Sequence, residues 1–118
     1  MAQQMLETTV RHVNGISGAV VIDLRGDIDA GADEALNSAY AEASAEDPKA
    51  VLLNFSGVGY INSTGIALIV GLLAQARKSG RRLMTTGLSE HYQEIFRITR
   101  LSDFLSVYPD EATALNNI

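Results

Sequence analysis

The residues with the clearest chemical potential are four consecutive ones, Asn62, Ser63, Thr64 and Gly65. They follow an apolar run and precede a helical pattern, so the sequence places them between the end of a buried strand and the start of a helix. In open α/β sheets, functional sites lie beyond the carboxyl ends of the strands. A hydroxyl here is exposed and lies near free backbone N–H groups. The segment is therefore a candidate site for adding an anion.

Phosphorylation of a hydroxyl in this segment is a modification that the position could accept. A phosphate brings about −1.5 to −2 charges, and a helix N-terminus favours an anion by roughly 0.3–1 kcal/mol. The fold would tolerate that charge. A protein docked on the same surface would have to bury the charge away from water, which opposes docking. The alternative interpretation is plain helix capping, since Asn, Ser and Thr are ordinary cap residues.

The helix after this segment has two apolar stripes, although a surface helix normally shows one. The second stripe either packs under another helix or belongs to a partner-binding surface, for which Leu68 and Leu72 are candidates. We predict that the first stripe faces the core and that the second lies beside it. The first contains Ile66, Ile69, Val70 and Leu73, and the second contains Leu68, Leu72 and Ala76.

The other reactive side chains indicate no catalytic centre. The chain has no cysteine, and its two histidines, His12 and His91, form no cluster with the spacing of metal ligands. A catalytic Ser-His-Asp triad that includes Ser63 and His91 is not indicated, because the sequence around Ser63 lacks a nucleophile-elbow motif. Gly57 and Gly59 are not followed by the Gly-Lys-Ser/Thr ending of a phosphate loop. We predict a protein that is not an enzyme, with no catalytic residue, no cofactor and no metal.

Length and charge distribution bear on the number of domains and on the kind of partner. The 118 residues predict a single domain over 1–118. Residues 1–50 contain nine acidic and three basic side chains, and residues 51–118 contain five acidic and six basic ones. The dense basic cluster, Arg77, Lys78, Arg81 and Arg82, is typical of a solvated helix end and turn. The charge distribution therefore argues against a nucleic-acid partner.

The chain also lacks the sequence features of membrane insertion and export. No apolar run approaches the ~18 residues that cross a bilayer. The N-terminus has no basic segment followed by an apolar stretch, as a signal peptide would. We therefore expect a cytoplasmic protein with no direct membrane insertion.

The predicted elements alternate in the order β-β-α-β-α-β-α-β-α. A turn at 14–18 joins the first two strands as an antiparallel hairpin, and a turn at 56–59 leads to the candidate site. Helices start near Asp29, at Asn62 or Ser63, at Ser89 and near Pro109, the second of them ending at Lys78. Strand–helix–strand units predict parallel pairing. The predicted strands cover residues 5–13, 19–24, 50–55, 82–86 and 105–108.

Over residues 6–115 the chain resembles the STAS domain family, and specifically the stand-alone anti-sigma factor antagonists. The joint order and spacing of several motifs produce the resemblance. It implies an α/β fold with a mixed four- to five-stranded sheet and helices mainly on one face. The motifs are Leu-Arg-Gly-Asp-Ile-Asp at 24–29, Val-Leu-Leu-Asn-Phe-Ser-Gly-Val at 51–58, Ile-Asn-Ser-Thr-Gly-Ile at 61–66, Gly-Arg-Arg-Leu at 80–83, and residues 98–104.

The resemblance also implies a function. Family members bind an anti-sigma factor that is a serine kinase, are released when it phosphorylates them, and are reset by a metal-dependent serine phosphatase. By the family pattern the phosphoacceptor is Ser63, with Thr64 and Gly65 as its neighbours. The segment around Asp27 lies near this site and, with Tyr60, contributes to the partner surface. We expect the protein to be a monomer or a weak dimer.

One residue departs from the family pattern, because Asn62 stands where the family has Asp. Asn keeps the capping geometry but removes a negative charge beside Ser63, which favours the phosphorylated form. Equally, a kinase that needs the carboxylate would fail, leaving an unswitched binding protein. The resemblance thus leaves other roles open: an accessory STAS subunit of a membrane lipid transporter, an unswitched scaffold, or a ligand-binding module.

Overall fold

The computed structural model describes residues 4–13 and 18–118, which form five strands and four α-helices in the predicted order. The predicted turn at 14–18 lies outside the described residues except for Gly18. The strands are β1 (Glu7–His12), β2 (Ala19–Ile28), β3 (Ala50–Ile61), β4 (Arg82–Thr86) and β5 (Ser106–Tyr108). The helices are α1 (Asp33–Ser44), α2 (Ser63–Lys78), α3 (Glu90–Ile98) and α4 (Glu111–Leu115), with 3-10 turns at Ala30–Ala32 and Leu101–Asp103.

The five strands form one mixed sheet in the order β1-β2-β3-β4-β5. β1 runs antiparallel to β2, and each of the other neighbouring pairs is parallel. Buried residues pair across the centre, where Leu53 of β3 lies between Ile22 of β2 and Thr85 of β4. The predicted α/β class and the mixed sheet are therefore confirmed, with the α2 start at the carboxyl ends of the parallel strands.

Strands β2 and β3 are longer than predicted, and the turn predicted at 56–59 is wrong. The two strands stay paired past that point, with Gly26 opposite Val58 and Asp27 opposite Tyr60. A Cβ atom at Gly57 would lie 2.9 Å from the Leu24 carbonyl oxygen. The glycines that indicated a turn instead allow two strands to approach closely across an irregular register.

The helices cover the two faces of the sheet unequally. Helices α1, α2 and α3 contribute to the larger core, in which Phe55 and Phe96 are fully buried and meet edge to face. The five-residue α4 packs on the opposite face. The prediction of helices mainly on one face is thus confirmed. The smaller cluster under α4 contains Val21, Ala50, Leu52, Met84 and Ala114.

A buried arginine corrects the interpretation of the basic cluster as solvated. Only 8% of Arg81 is exposed. Its guanidinium donates to the Pro48 carbonyl oxygen at 2.7 Å, the Tyr40 hydroxyl at 3.1 Å and an Asp47 carboxylate oxygen at 2.7 Å. The hydrogen bond to Tyr40 is the largest of the effects that raise the pKa of Arg81. This side chain ties the segment after α2 to the segment between α1 and β3.

Candidate functional site: the start of helix α2

The structure separates the capping residue from the candidate phosphoacceptor. Asn62 is the N-cap of α2, and its side-chain oxygen accepts a hydrogen bond from the Gly65 N–H at 2.8 Å. Ser63 is the first residue of the helix and is exposed. Its hydroxyl has no hydrogen-bond partner among residues 4–13 and 18–118. The alternative of plain capping therefore applies to Asn62, and the Ser63 hydroxyl is left available.

Gly65 fixes the start of α2 against the end of β2. A Cβ atom at this position would lie 2.0 Å from the Ile28 carbonyl oxygen and 2.7 Å from its carbon. The same carbonyl oxygen accepts a hydrogen bond from the Asn62 N–H at 3.2 Å. Only a residue without a side chain fits this approach. The backbone around Ser63 is therefore held at a defined position relative to the sheet.

Tyr92 of α3 supports the site from a third element, and the sequence pattern did not predict this contact. Its hydroxyl accepts a hydrogen bond from the Ile61 N–H at 2.8 Å, although the residue is only 8% exposed. The bond satisfies the last backbone N–H of β3, one residue before the cap. A buried tyrosine needs a hydrogen-bond partner for its hydroxyl. A tyrosine in a predicted amphipathic helix was therefore the available indication of such a contact.

Asp27 and Tyr60 lie side by side at this end of the sheet. They are register partners on β2 and β3, and Tyr60 is 47% exposed. An Asp27 carboxylate oxygen accepts a hydrogen bond from the Gln4 N–H at 3.1 Å. Met5, which is 85% exposed, is a neighbour that the sequence did not indicate. Met5 and Asn62 line a shallow depression of about 360 Å³.

The family model named STAS domain matches residues 9–114. The chain belongs to the STAS domain family. An anti-sigma-B factor antagonist of Staphylococcus epidermidis is 37% identical over 57 residues, which are 48% of this chain and 53% of that protein. The chain thus spans about half the length of the curated relatives it matches.

Two solved structures show the same fold. An anti-sigma factor antagonist from Mycobacterium paratuberculosis superposes with a TM-score of 0.80 at 21% identity, covering 96% of this chain and 93% of that one. SpoIIAA, a Bacillus cell fate determinant solved in its phosphorylated form, superposes with a TM-score of 0.70 at 20% identity, covering 94% and 98%. At these identities the likeness establishes the STAS fold.

The surface of α2 in this STAS domain differs from the predicted one. Leu72 is only 1% exposed and Leu68 is partly buried against the core, so the prediction of Leu72 as a partner-binding residue is wrong. Val70, predicted to face the core, is 44% exposed. The reason is that α2 lies over β2, β3 and β4 and against α1, which buries a wide face. The buried residues of the helix are Gly65, Ile69, Leu72, Leu73 and Ala76.

The charged groups of the STAS domain do not assemble into a metal site. Within the described ranges no group of three or more His, Asp or Glu side chains is placed to hold a metal ion. Asp29 is instead used locally, because its carboxylate accepts a hydrogen bond from the Gly31 N–H at 2.9 Å and starts the 3-10 turn. None of the helices in the described ranges is both long enough and apolar enough to cross a membrane.

Proposed function

We propose that this STAS domain is an anti-sigma factor antagonist that binds an anti-sigma factor serine kinase and is switched off by phosphorylation of Ser63. The observation that supports the proposal most directly is the exposed Ser63 hydroxyl at the first position of α2, free of any capping role. The names of the Staphylococcus and Mycobacterium antagonists, and of SpoIIAA in phosphorylated form, point to the same cycle.

The start of α2 suits a phosphate electrostatically. The first N–H groups of a helix have no intrahelical acceptor, and Asn62 satisfies only that of Gly65. The N–H groups of Ser63 and Thr64 remain available to phosphate oxygens, and the helix dipole adds roughly 0.3–1 kcal/mol. The neutral Asn62 side chain adds no repulsion. Phosphorylation is therefore compatible with the folded domain.

The same phosphate opposes a docked protein. Ser63 lies on a surface with the exposed residues Thr64 and Ala67, so a partner covering them must also cover the phosphate. Burying an ion without a counter-charge costs several kcal/mol, and every 1.4 kcal/mol lowers affinity about tenfold. Release of the partner follows from the added charge, without any change in the fold. Removal of the phosphate by a serine phosphatase restores the docking surface.

The decisive experiment is a phosphorylation assay with intact-mass detection. The wild-type chain is incubated with ATP and a histidine-kinase-like anti-sigma factor that binds it, and Ser63→Ala and Thr64→Ala are treated in parallel. We expect one added phosphate on the wild type and on the Thr64 variant, and none on the Ser63 variant. Phosphate on the Ser63 variant, or co-purification with a transporter ATPase and no phosphate on the wild type, contradicts the proposal.

A further inference from the structure

An exposed stripe of residues runs the length of α2 and begins at Ser63. It consists of Ser63, Ala67, Val70, Ala74 and Arg77, which we call the α2 seam, and all five are exposed. Their spacing alternates between four and three residues. That is the 3.5-residue repeat with which one helix packs along another. At 1.5 Å per residue the seam is about 21 Å long.

The far half of the seam forms an apolar groove. Phe104, which follows the second 3-10 turn, is 58% exposed and borders Val70 and Ala74. The groove has a volume of about 340 Å³. Small and apolar residues on an exposed helix face, next to an exposed phenylalanine, are more typical of an interaction surface than of a solvated helix.

The positively charged side chain of Arg77 also lines the groove. The Arg77 guanidinium lies 4.9 Å from the centre of the Phe104 ring. Within the part of the chain that the structure describes, no carboxylate lies within ion-pair distance of it. Arginine on an aromatic ring is preorganised to bind a carboxylate, because its N–H groups remain free at the ring edge.

We propose that the partner docks through an amphipathic α-helix that lies along the α2 seam and bears a carboxylate for Arg77. This rests on the proposed function and specifies its partner's binding element. Large apolar side chains of that helix fill the spaces over Ala67 and Ala74, with Val70 and Phe104 beside them. A second copy of this chain fits less well, since its own seam would bring alanines against alanines and leave the groove empty. Ser63 then lies under one end of the helix, where a phosphate opposes it.

The first test measures the affinity of the anti-sigma factor kinase for seam variants by calorimetry. Arg77→Glu and Val70→Asp should each weaken binding at least about tenfold, or 1.4 kcal/mol. Lys49→Glu makes the same charge change at an exposed residue before β3 and should leave affinity within about twofold. Thermal melts check that the variants fold. If the kinase phosphorylates and binds both seam variants like the wild type, the helix inference is wrong and the proposed function stands.

The second test needs no natural partner. A 21-residue amphipathic peptide with leucine every 3.5 residues and flanking glutamates is titrated into the labelled chain and followed by NMR. We expect shifts at Val70, Ala74 and Phe104, and none with the lysine version. Binding of the glutamate peptide without kinase binding refutes the proposed function alone. If neither the kinase nor the glutamate peptide binds, both the proposed function and the helix inference are refuted. Dimerisation of the chain that Val70→Asp abolishes, seen by sedimentation, overturns the choice of a partner helix.

Discussion

Gly65 and Gly71 lie six residues apart on α2, and the same substitution at each is expected to have opposite effects on stability. A Cβ atom at Gly65 would lie 2.0 Å from the Ile28 carbonyl oxygen, far inside contact distance, and the obstacle is backbone. A Cβ atom at Gly71 would have nothing within 4 Å. Gly65→Ala must therefore move α2 away from β2, whereas Gly71→Ala needs no adjustment.

The expected magnitudes follow from this difference. Overpacking in a well-packed site costs about 1–3 kcal/mol, and here the Asn62–Ile28 backbone hydrogen bond is weakened as well, so we expect Gly65→Ala to lose at least about 2 kcal/mol. Gly71→Ala should gain about 0.5–1 kcal/mol, because alanine has the higher helix propensity. A change of 1 kcal/mol corresponds to a melting shift of about 3–6 °C in a domain of this size.

Urea unfolding monitored by circular dichroism measures both variants against the wild type. The reasoning predicts a lower midpoint for Gly65→Ala and a higher one for Gly71→Ala, with unchanged slopes. A Gly65→Ala variant as stable as the wild type would mean that the start of α2 does not pack on the Ile28 carbonyl as described. The position of Ser63 relative to the sheet would then lose its structural basis.

Three further predictions test the proposed switch at Ser63, the ion pair between Arg11 of β1 and Asp23 of β2, which are 2.6 Å apart, and the buried Arg81. The unfolding free energy of Ser63→Ala should lie within about 0.5 kcal/mol of the wild-type value, because Asn62 makes the cap. This variant should bind the kinase constitutively, whereas Ser63→Asp should bind it at least about tenfold more weakly by calorimetry. Hydrogen bonding from Arg11 lowers the pKa of Asp23. The ionised Asp23 therefore stabilises the fold fully above the ordinary carboxyl pKa of about 3.9, and this stabilisation is lost as the pH falls. The difference in unfolding free energy between the wild type and Asp23→Asn, measured in urea, should narrow from pH 7 to pH 3, and a constant difference contradicts this. Arg81→Met should cost about 2–3 kcal/mol in the same assay, because it leaves buried oxygens unpaired, whereas a loss under 0.5 kcal/mol would show that the buried guanidinium contributes little.

The elements that sequence predicted best are those with strong end signals. Ser89 is the N-cap of α3 as expected, and Asn62, one of the two candidates, is the N-cap of α2; each side chain accepts a hydrogen bond from the first turn of its helix. A cap is a local interaction, so the residues that form it are adjacent in the sequence. The start of α2, and with it the candidate site, could therefore be located to within one residue, between Asn62 and Ser63.

Features that depend on long-range packing were not predictable from the same patterns. Gly57 indicated a turn, but it lies in a strand because β2 continues beside β3. Leu72 and Val70 exchanged roles, since periodicity marks apolar positions and does not tell which way a helix with two apolar stripes is rotated. Arg81 looked like a surface cation because its partners, Tyr40 and Asp47, are more than thirty residues away.

These contacts also limit how a phosphate on Ser63 can act. Helix α2 is held at its start by the Gly65 contact with β2 and beyond its end by Arg81, and between them it buries Ile69, Leu72 and Leu73. Burying each such side chain is worth about 1.5–3 kcal/mol, so their sum exceeds the roughly 0.3–1 kcal/mol by which an exposed charge acts on a helix end. A phosphate cannot displace or unwind this helix. Under the proposed function, the effect of the phosphate would therefore fall on the partner bound above Ser63, and the interface, not the conformation of the domain, would be the switching element.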